Sequence, residues 1–197
     1  MYQFKPPTSL SGPADPIPIP IPAQEYPGLD YECELVIIIS RPGINIPPSR
    51  ALDHVLGYAV GNDVSHREWQ LKLGGGQWAL GKGFDGWAPF GPGIVSKQLI
   101  PDPGKLRIGT KLNGETVQDS ATRDLVFGVA ETVSFLSRGT TLEAGDVIFT
   151  GTPQGVGMGR KPPLWLKDGD VVEVSLEGVG TCTNRVEFVK DGLSSKL

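Results

Sequence analysis

Residues 30–35 read DYECEL and run directly into the apolar, β-branched stretch VIII at positions 36–39. This composition predicts a strand over residues 31–40. Because successive side chains of a strand point to opposite faces, Glu32 and Glu34 lie on one face, and the residues that alternate with them lie on the other. Two neighbouring carboxylates beside a core repel each other and destabilise the fold. The stretch therefore predicts a positive partner between them.

The composition indicates the class of fold. The chain has 197 residues, of which 39% are hydrophobic, and this is enough for one domain with a core. Its 27 glycines and 18 prolines are roughly twice the usual share, whereas a charged fraction of 20% is ordinary. An excess of turn-forming residues without an excess of charge predicts a mainly β protein with a few short helices, in the α+β class.

Charge and hydropathy argue against two classes of partner. The formal net charge is −4, and no Lys and Arg stripe interleaves with aromatic residues, so we expect no nucleic-acid partner. The apolar runs are far shorter than the ~20 residues of a membrane span, and a signal-peptide pattern is missing, so we expect no membrane partner. Cys33 and Cys182 lack a pairing motif and are expected to be buried thiols. We predict a soluble cytoplasmic protein and leave a mitochondrial location open.

Three segments are predicted along the chain. Residues 1–30 are rich in proline, with PIPIPIP at 16–22, which excludes helix and predicts an extended arm without a core of its own. Residues 31–190 form the predicted catalytic domain, and residues 191–197 form a C-terminal tail. We expect such an arm to pack on a neighbouring subunit.

Helices are predicted in three places. A short helix begins at Pro47 and ends at Gly57, and a second begins at Ser65, where a Glu three residues later completes a capping box. A third lies between Asp124 and Gly139, where leucines and valines recur at helical spacing. Beyond the first strand, we predict strands at 58–65 and near 106–112, 146–151, 170–177 and 183–189.

A metal ion is the simplest positive partner for Glu32 and Glu34. Hard cations such as Mg²⁺ take oxygen ligands and keep open positions for water or substrate, so two or three protein carboxylates suffice. Asp63 is the candidate third ligand because it lies where the second predicted strand ends. The alternative is an ordinary solvated strand face, since two glutamates at this spacing are a weak signal on their own.

Four further residues are candidates for substrate contact. Arg67 and Gln70 are three positions apart on the second predicted helix and share a face, where a guanidinium and an amide suit a carboxylate or carbonyl. Lys82, between two glycines, suits stabilisation of negative charge on an oxygen. Thr152 lies in the glycine-rich stretch FTGTPQGVGMG, which lacks the spacing of a nucleotide-binding loop and is expected to enclose substrate. For Arg67, Gln70 and Lys82, the alternative is an ordinary surface position.

A series of motifs resembles the fumarylacetoacetate hydrolase family, over about residues 4–189. In order they are DYECEL (30–35), GYAVGNDVSHREWQ (57–70), GKGFDGWAPFGPGIV (81–95), NGETVQDSATRDLVF (113–127), LEAGDVIFTGTPQGVG (142–157) and LKDGDVVEVSLEGVGTCTNRV (166–186). The resemblance implies a mixed, rolled β-sandwich of the type of the family's C-terminal domain, with bound Mg²⁺ or Mn²⁺ and usually a homodimeric assembly.

The same resemblance implies roles for residues. By motif position, it matches the metal ligands to Glu32, Glu34 and Asp63, and the residues that contact substrate to Arg67, Gln70, Lys82 and Thr152. It implies chemistry on a small 1,3-dicarbonyl acid, by C–C hydrolysis, decarboxylation or keto-enol tautomerisation through a metal-stabilised enolate. The alternative is a non-catalytic relative that binds metal or another subunit.

Two departures from the family pattern affect these expectations. Members usually carry a lid segment before the motif that is FKP here at 4–6, and its His and Glu are thought to activate the hydrolytic water. Its absence favours decarboxylation or tautomerisation over hydrolysis. The second departure is His66, where relatives more often carry a small residue. His66 is a candidate substitute base, and the alternative is a structural or solvated histidine.

Overall fold

The strand that follows DYECEL belongs to one of two five-stranded sheets. The computed structural model describes residues 3–190. The strands of this region are β1 Leu10–Ser11, β2 Ile17–Ile19, β3 Leu29–Asp30, β4 Cys33–Ile39, β5 Val55–Asn62, β6 Ser65–His66, β7 Ala88–Ser96, β8 Arg107–Leu112, β9 Glu115–Ala121, β10 Val147–Phe149, β11 Val171–Leu176 and β12 Gly180–Phe188.

The helices are few and short. In the described region the α-helices are α1 Pro48–Ala51 and α2 Val129–Leu136, and Trp69–Leu73 forms a π-helical turn. Short 3-10 turns lie at Pro7–Ser9, Ile21–Ala23, Leu52–His54, Trp78–Gly81, Pro103–Lys105, Thr122–Asp124 and Gly157–Gly159. None of the helices within residues 3–190 has the length and apolar character needed to cross a bilayer.

The two sheets pack on each other. The first has the strand order β1-β7-β5-β4-β10, the second has the order β2-β12-β11-β8-β9, and β3 pairs with β6 separately. The β1/β7 and β2/β12 pairs are parallel and the other pairs are antiparallel, so both sheets are mixed. Buried side chains from both sheets form one core cluster. The predicted mainly β, α+β sandwich is confirmed.

All seven residues of β4 are buried. Cys33, Leu35 and Ile37 point into the core between the sheets, whereas Val36 and Ile38 pack with other apolar side chains on the opposite face of the first sheet. Because both faces are covered, the β-branched run has no polar alternation. The two glutamates at its beginning share the face of Val36 and Ile38, as the predicted alternation requires.

The proline-rich segment packs on its own chain. β1 and β2 each add an edge strand to one sheet, and Ile17 and Ile19 are fully buried. The Trp87 ring nitrogen donates to the Pro18 carbonyl at 2.7 Å, and the Asn184 amide nitrogen donates to backbone carbonyls of the segment. These contacts remove the physical reason for expecting a neighbouring subunit to hold the arm. The predicted tail at 191–197 lies outside the described residues.

Two predicted helix boundaries are wrong for one reason. The first helical segment stops at His54 instead of Gly57, because Val55 and the residues after it pair with β4. Ser65 does not cap a helix: it pairs with Asp30 in the β3/β6 ladder, and its hydroxyl donates to the Asp63 carbonyl at 2.9 Å. In both places strand pairing overrides the local helix signal.

The third helix and two strands also differ from the prediction. α2 begins at Val129, four residues after the predicted helical pattern begins, and the Glu131 carboxylate accepts the Gly128 backbone N–H at 2.9 Å. β7 and β9 were not predicted. β7 contains two prolines and two glycines, which obscure a strand pattern, and β9 is mostly polar because one of its faces is exposed.

Both cysteines are free and buried, as predicted. Burial raises the pKa of each thiol to about 12, so Cys33 and Cys182 are protonated at neutral pH. They contribute apolar volume to the core.

Candidate metal centre and substrate cavity

The β4/β5 pairing brings three acidic side chains together. Its antiparallel register sets Cys33 opposite Asn62, and just beyond the strand ends the Asp63 backbone N–H donates to the Glu32 carbonyl at 2.9 Å. Carboxylate oxygens of Glu32, Glu34 and Asp63 all lie within 4.8 Å of one another. The three residues are 8%, 3% and 6% exposed, respectively. We call this group the acidic triad.

A glycine in β5 permits the packing behind the triad. A Cβ on Gly61 would lie 2.4 Å from a ring carbon of Phe149, so a larger residue there would push β10 away. β10 leads into the glycine-rich loop, and the Gly151 backbone N–H donates to Glu34 Oε2 at 2.6 Å. The close approach of β10 therefore brings this loop to the triad.

Two lysines neutralise part of the triad. Lys82 Nζ donates to Glu32 Oε2 and to Asp63 Oδ2, both at 2.7 Å. Lys5, at the start of the described chain, places its Nζ 2.6 Å from Asp63 Oδ1 and 3.0 Å from the Trp87 carbonyl. Each oxygen of Asp63 thus faces an ammonium group.

Arg67 is the third cation. Its Nη1 lies 2.7 Å from Glu32 Oε1 and donates to Gln70 Oε1 at 2.9 Å. Its Nε and Nη2 lie 2.9 Å from Asp30 Oδ2. The guanidinium therefore joins the triad to a fourth buried carboxylate, that of Asp30, and orients Gln70.

Asp30 also holds the glycine-rich loop. It is fully buried, and its carboxylate accepts the backbone N–H of Gly157 at 2.6 Å and of Met158 at 3.0 Å. A Cβ on Gly157 would lie 2.8 Å from Asp30 Oδ1 and 1.9 Å from the Leu164 carbonyl oxygen, so this contact requires glycine. One buried carboxylate thus connects the loop to Arg67.

The cluster is short of positive charge at Glu34. Four carboxylates face three cations, and within residues 3–190 Glu34 has no ion-pair partner. Burial raises the pKa of Glu34 well above its ordinary value, and the neighbouring charges of Asp63 and Glu32 raise it further. Adding a positive charge beside Glu34 would relieve this strain.

The lysines set the protonation of their neighbours. Burial alone would raise the pKa of Asp63, but Lys5 and Lys82 outweigh burial and hold that pKa below its usual value. Burial likewise opposes the charged form of Lys82, but the carboxylates of Asp63, Glu32 and Glu34 outweigh it and raise the pKa of Lys82. Lys82 is therefore an ammonium at neutral pH.

The acidic triad suits a hard divalent cation. All of its donor atoms are carboxylate oxygens, which Mg²⁺ and Mn²⁺ prefer over softer ligands. The separation of up to 4.8 Å is close to the roughly 3–4 Å between oxygens around one ion of this size. Glu32, Glu34 and Asp63 are the residues that would hold it, and the missing charge at Glu34 is the physical reason to expect it.

A cavity of about 310 Å³ opens beside Glu32. Its polar side is lined by Glu32, Arg67, Gln70 and Thr152. Its apolar side is lined by residues of the π-helical turn, of the following 3-10 turn and of the glycine-rich loop, among them Leu71, Trp78, Val156 and Met158. Glu32 belongs to both the triad and the cavity, so a ligand in the cavity lies next to the candidate metal position.

Six of the eight predicted site residues lie in the triad or line the cavity, and Lys82 hydrogen-bonds to the triad. His66 lies outside both. His66 is fully buried, its Nε2 lies 3.1 Å from the Tyr26 carbonyl, and its Nδ1 accepts the Trp69 backbone N–H at 3.4 Å. Burial lowers the pKa of His66. Because backbone groups engage both ring nitrogens, the geometry favours the structural alternative over the predicted base.

Three residues of the site were not predicted. They are Lys5, Asp30 and Gln118, and each contacts the site through partners far away in the sequence. Gln118 Nε2 donates to Thr152 Oγ1 at 2.9 Å. Asp30 had a local signal, since it is part of DYECEL, but nothing nearby indicates that it pairs with Arg67. For Lys5 the signal is its place in the motif that is FKP at 4–6, which does not indicate the partner of the lysine.

The sequence matches a known family model. Residues 1–187 match the model described as fumarylacetoacetate hydrolase C-terminal. The chain is 47% identical over 179 residues to an oxaloacetate tautomerase of Xenopus laevis named as mitochondrial, and this match covers 91% of the chain and 55% of the relative. It is 46% identical over 188 residues to a fumarylacetoacetate hydrolase domain-containing protein 2 homolog of Dictyostelium discoideum, covering 91% of the chain and 61% of the relative.

Solved structures have the same fold. A fumarylacetoacetate hydrolase of Exiguobacterium antarcticum superposes with a TM-score of 0.88 at 46% identity, over 94% of this chain and 65% of that chain. A 5-carboxymethyl-2-hydroxymuconate delta-isomerase of Mycobacterium smegmatis superposes with a TM-score of 0.84 at 41% identity, over 95% and 68%. The chain spans a little over half the length of the two curated relatives.

The charge at Glu34 leads to a prediction about metal ions. Mg²⁺ or Mn²⁺ should raise the midpoint of thermal unfolding, by an amount equivalent to about 2.7 kcal/mol at a hundredfold excess over the dissociation constant, and EDTA should reverse the shift. Glu34→Gln should abolish the shift, and it should leave the metal-free protein at least as stable because it removes a repelling charge. Differential scanning fluorimetry measures both effects.

The exposed Glu115 in β9 supplies the matched control. Glu115→Gln removes the same charge away from the triad and should keep the full response to metal. A metal-dependent shift that survives in Glu34→Gln would remove Glu34 from the ligand set.

The buried Asp30–Arg67 pair leads to a second prediction. Asp30→Asn leaves the Arg67 guanidinium without one of its two carboxylates and should lower the free energy of unfolding by about 3–5 kcal/mol, measured by urea denaturation. Asp53→Asn is the control, because Asp53 lies on the surface beside Arg50 and should show no measurable change. Equal urea midpoints for the Asp30 variant and the wild type would show that Asp30 does not hold the site together.

Proposed function

Because this chain belongs to the fumarylacetoacetate hydrolase family, we propose that it forms the catalytic domain of a divalent-metal-dependent enzyme acting on a small 1,3-dicarbonyl acid. The reaction that we propose is keto-enol tautomerisation, with oxaloacetate as the first substrate to test. One observation carries the proposal: Glu32 belongs both to a buried acidic triad and to a cavity whose polar side presents hydrogen-bond donors.

The donors suit an anionic, oxygen-rich ligand. Arg67 brings a guanidinium to the cavity. Gln70 Oε1 already accepts from Arg67, so its amide nitrogen is the end left for a ligand. Thr152 adds a hydroxyl from the glycine-rich loop. A carboxylate or carbonyl oxygen complements all three groups, and a cationic or donor-rich ligand does not.

The chemistry at the triad follows from the same arrangement. A divalent cation held by Glu32, Glu34 and Asp63 would supply Lewis-acid polarisation of substrate oxygens. Lys82 stays protonated, and its ammonium lies beside Glu32 and Asp63, where it stabilises negative charge that develops on a neighbouring oxygen. Arg67 and Gln70 orient the acid group of the substrate, which keeps the reacting carbon at a constant distance from Lys82.

Tautomerisation requires fewer chemical steps from these residues than decarboxylation or hydrolysis does. A proton leaves the carbon between the two carbonyl groups, a proton is added to oxygen, and no bond between heavy atoms breaks. Decarboxylation adds the loss of CO₂, and hydrolysis adds an activated water. The relatives named as an oxaloacetate tautomerase and as a delta-isomerase support this order of preference.

An assay with oxaloacetate tests the proposal. With Mg²⁺ or Mn²⁺, the protein should speed the decay of the enol absorbance above the rate in metal-containing buffer, and EDTA should remove the effect. Glu34→Gln should lower the protein-dependent rate about 100-fold or more, whereas Glu115→Gln should leave it unchanged.

Parallel measurements separate the alternatives. Release of CO₂ from oxaloacetate would identify a decarboxylase, and release of acid from acylpyruvates would identify a C–C hydrolase. A protein that binds metal but changes none of these substrates would be the non-catalytic relative, and the proposed activity would then be wrong.

Assembly and location remain proposals. The family resemblance implies a homodimer, for which light scattering should give about twice the chain mass of 21.0 kDa. A mass equal to that of one chain at micromolar concentration would contradict it. A cytoplasmic location stays a prediction, and the Xenopus relative that carries a mitochondrial name keeps the second compartment open.

A further inference from the structure

The orientation of one buried amide is determined by its neighbours. Gln118 lies in β9 and is 2% exposed. Its Oε1 accepts the Cys33 backbone N–H at 3.1 Å and the Thr110 hydroxyl at 2.7 Å. Because a backbone N–H is only a donor, the amide oxygen must occupy this end of the side chain.

The other end of the amide faces the glycine-rich loop. Gln118 Nε2 donates to the Pro153 carbonyl at 2.9 Å and to Thr152 Oγ1 at 2.9 Å. A backbone carbonyl is only an acceptor, so the nitrogen is required here for the same reason that the oxygen is required at the other end. Both amide protons are used, and the Thr152 oxygen acts as an acceptor.

This leaves the hydroxyl proton of Thr152 without a protein acceptor. Within residues 3–190, the bond from Gln118 is the hydrogen bond that this hydroxyl makes, and Thr152 lines the substrate cavity. From this contact, and on the basis of the proposed function, we infer that Gln118 is a positioning residue that makes Thr152 a hydrogen-bond donor toward a substrate carboxylate or carbonyl oxygen.

The surroundings hold this pair in place. Gln118 pairs with Thr110 across the β8/β9 ladder, and its oxygen reaches Cys33 in the first sheet, so both sheets support the amide. The loop lies directly against β9 at Gly155, where a Cβ would come within 2.4 Å of the Val117 carbonyl oxygen. The Thr152 hydroxyl therefore stays beside the amide, and the amide decides which way its proton points.

A consequence for specificity follows. A site with a pre-oriented donor discriminates strongly against a ligand that also presents a donor at that point, because neither donor then has an acceptor. The Thr152 position should accept the oxygen of a carboxylate or ketone and reject an amide nitrogen or an ammonium.

Gln118→Glu tests the inference with almost no change of shape. One carboxylate oxygen replaces Nε2 and accepts the Thr152 proton, which withdraws the donor from the cavity. The hydrogen bond from Nε2 to the Pro153 carbonyl is lost as well. KM for oxaloacetate should rise about tenfold or more, with a much smaller effect on kcat, and Thr152→Val should give the same change. Thr152→Ser should raise KM less than Thr152→Val does, because serine retains the hydroxyl.

The double variant separates positioning from a structural role. If Gln118 acts through Thr152, then Gln118→Glu should raise KM much less in the Thr152→Val background than in the wild type. Effects on KM that multiply would show that Gln118 supports the loop independently of Thr152, and this would overturn the inference.

Neutron diffraction of the deuterium-exchanged wild-type protein tests the same contact without turnover. The Thr152 deuterium should point into the cavity, away from Gln118 and Pro153. A hydroxyl deuterium bonded to Thr152 Oγ1 and directed at the Gln118 side chain would overturn the inference, whatever the kinetics. If the protein fails to turn over oxaloacetate but the deuterium points into the cavity, the proposed function is wrong and the orientation of Thr152 by Gln118 stands.

Discussion

The antiparallel pairing of β4 with β5 is the constraint on which the candidate site depends. The register places Asp63 beside Glu32, while the alternation along β4 keeps Glu34 on the same side as Glu32. Three buried carboxylates then lie within one small volume. Such a group is unstable without positive charge, and the remaining features of the site can be understood as responses to it.

Positive charge reaches the triad from three separate parts of the chain. Lys5 comes from the proline-rich segment, Arg67 from the residues that follow β6, and Lys82 from the end of a 3-10 turn. Together they satisfy Glu32 and Asp63 but leave Glu34 without an ion-pair partner in the described part of the chain. The unpaired Glu34 carboxylate destabilises the fold. A catalytic divalent cation would supply the missing positive charge, so the same residue affects both stability and function.

The glycine-rich loop is held at two points by buried side chains. Asp30 accepts backbone N–H groups at its far end, and Gln118 donates to Thr152 and Pro153 near its beginning. Glycines allow the loop to approach these side chains closely, and the hydrogen bonds then restrict its freedom. Donors on a restricted loop are already oriented when a ligand arrives, so less conformational entropy is lost on binding.

The sequence by itself determined the features that depend on neighbouring residues. The β-branched run predicts β4, alternation predicts the shared face of Glu32 and Glu34, and hard oxygen ligands predict the type of ion. The order of motifs indicates the fold. Only the tertiary structure decided which groups meet: Lys5 with Asp63, Asp30 with Arg67, and Gln118 with Thr152. It also pairs Ser65 in a strand, and it places a backbone group within hydrogen-bonding distance of each ring nitrogen of His66. These contacts join residues far apart in the chain, and local propensity contains no information about partners that only folding brings within hydrogen-bonding distance.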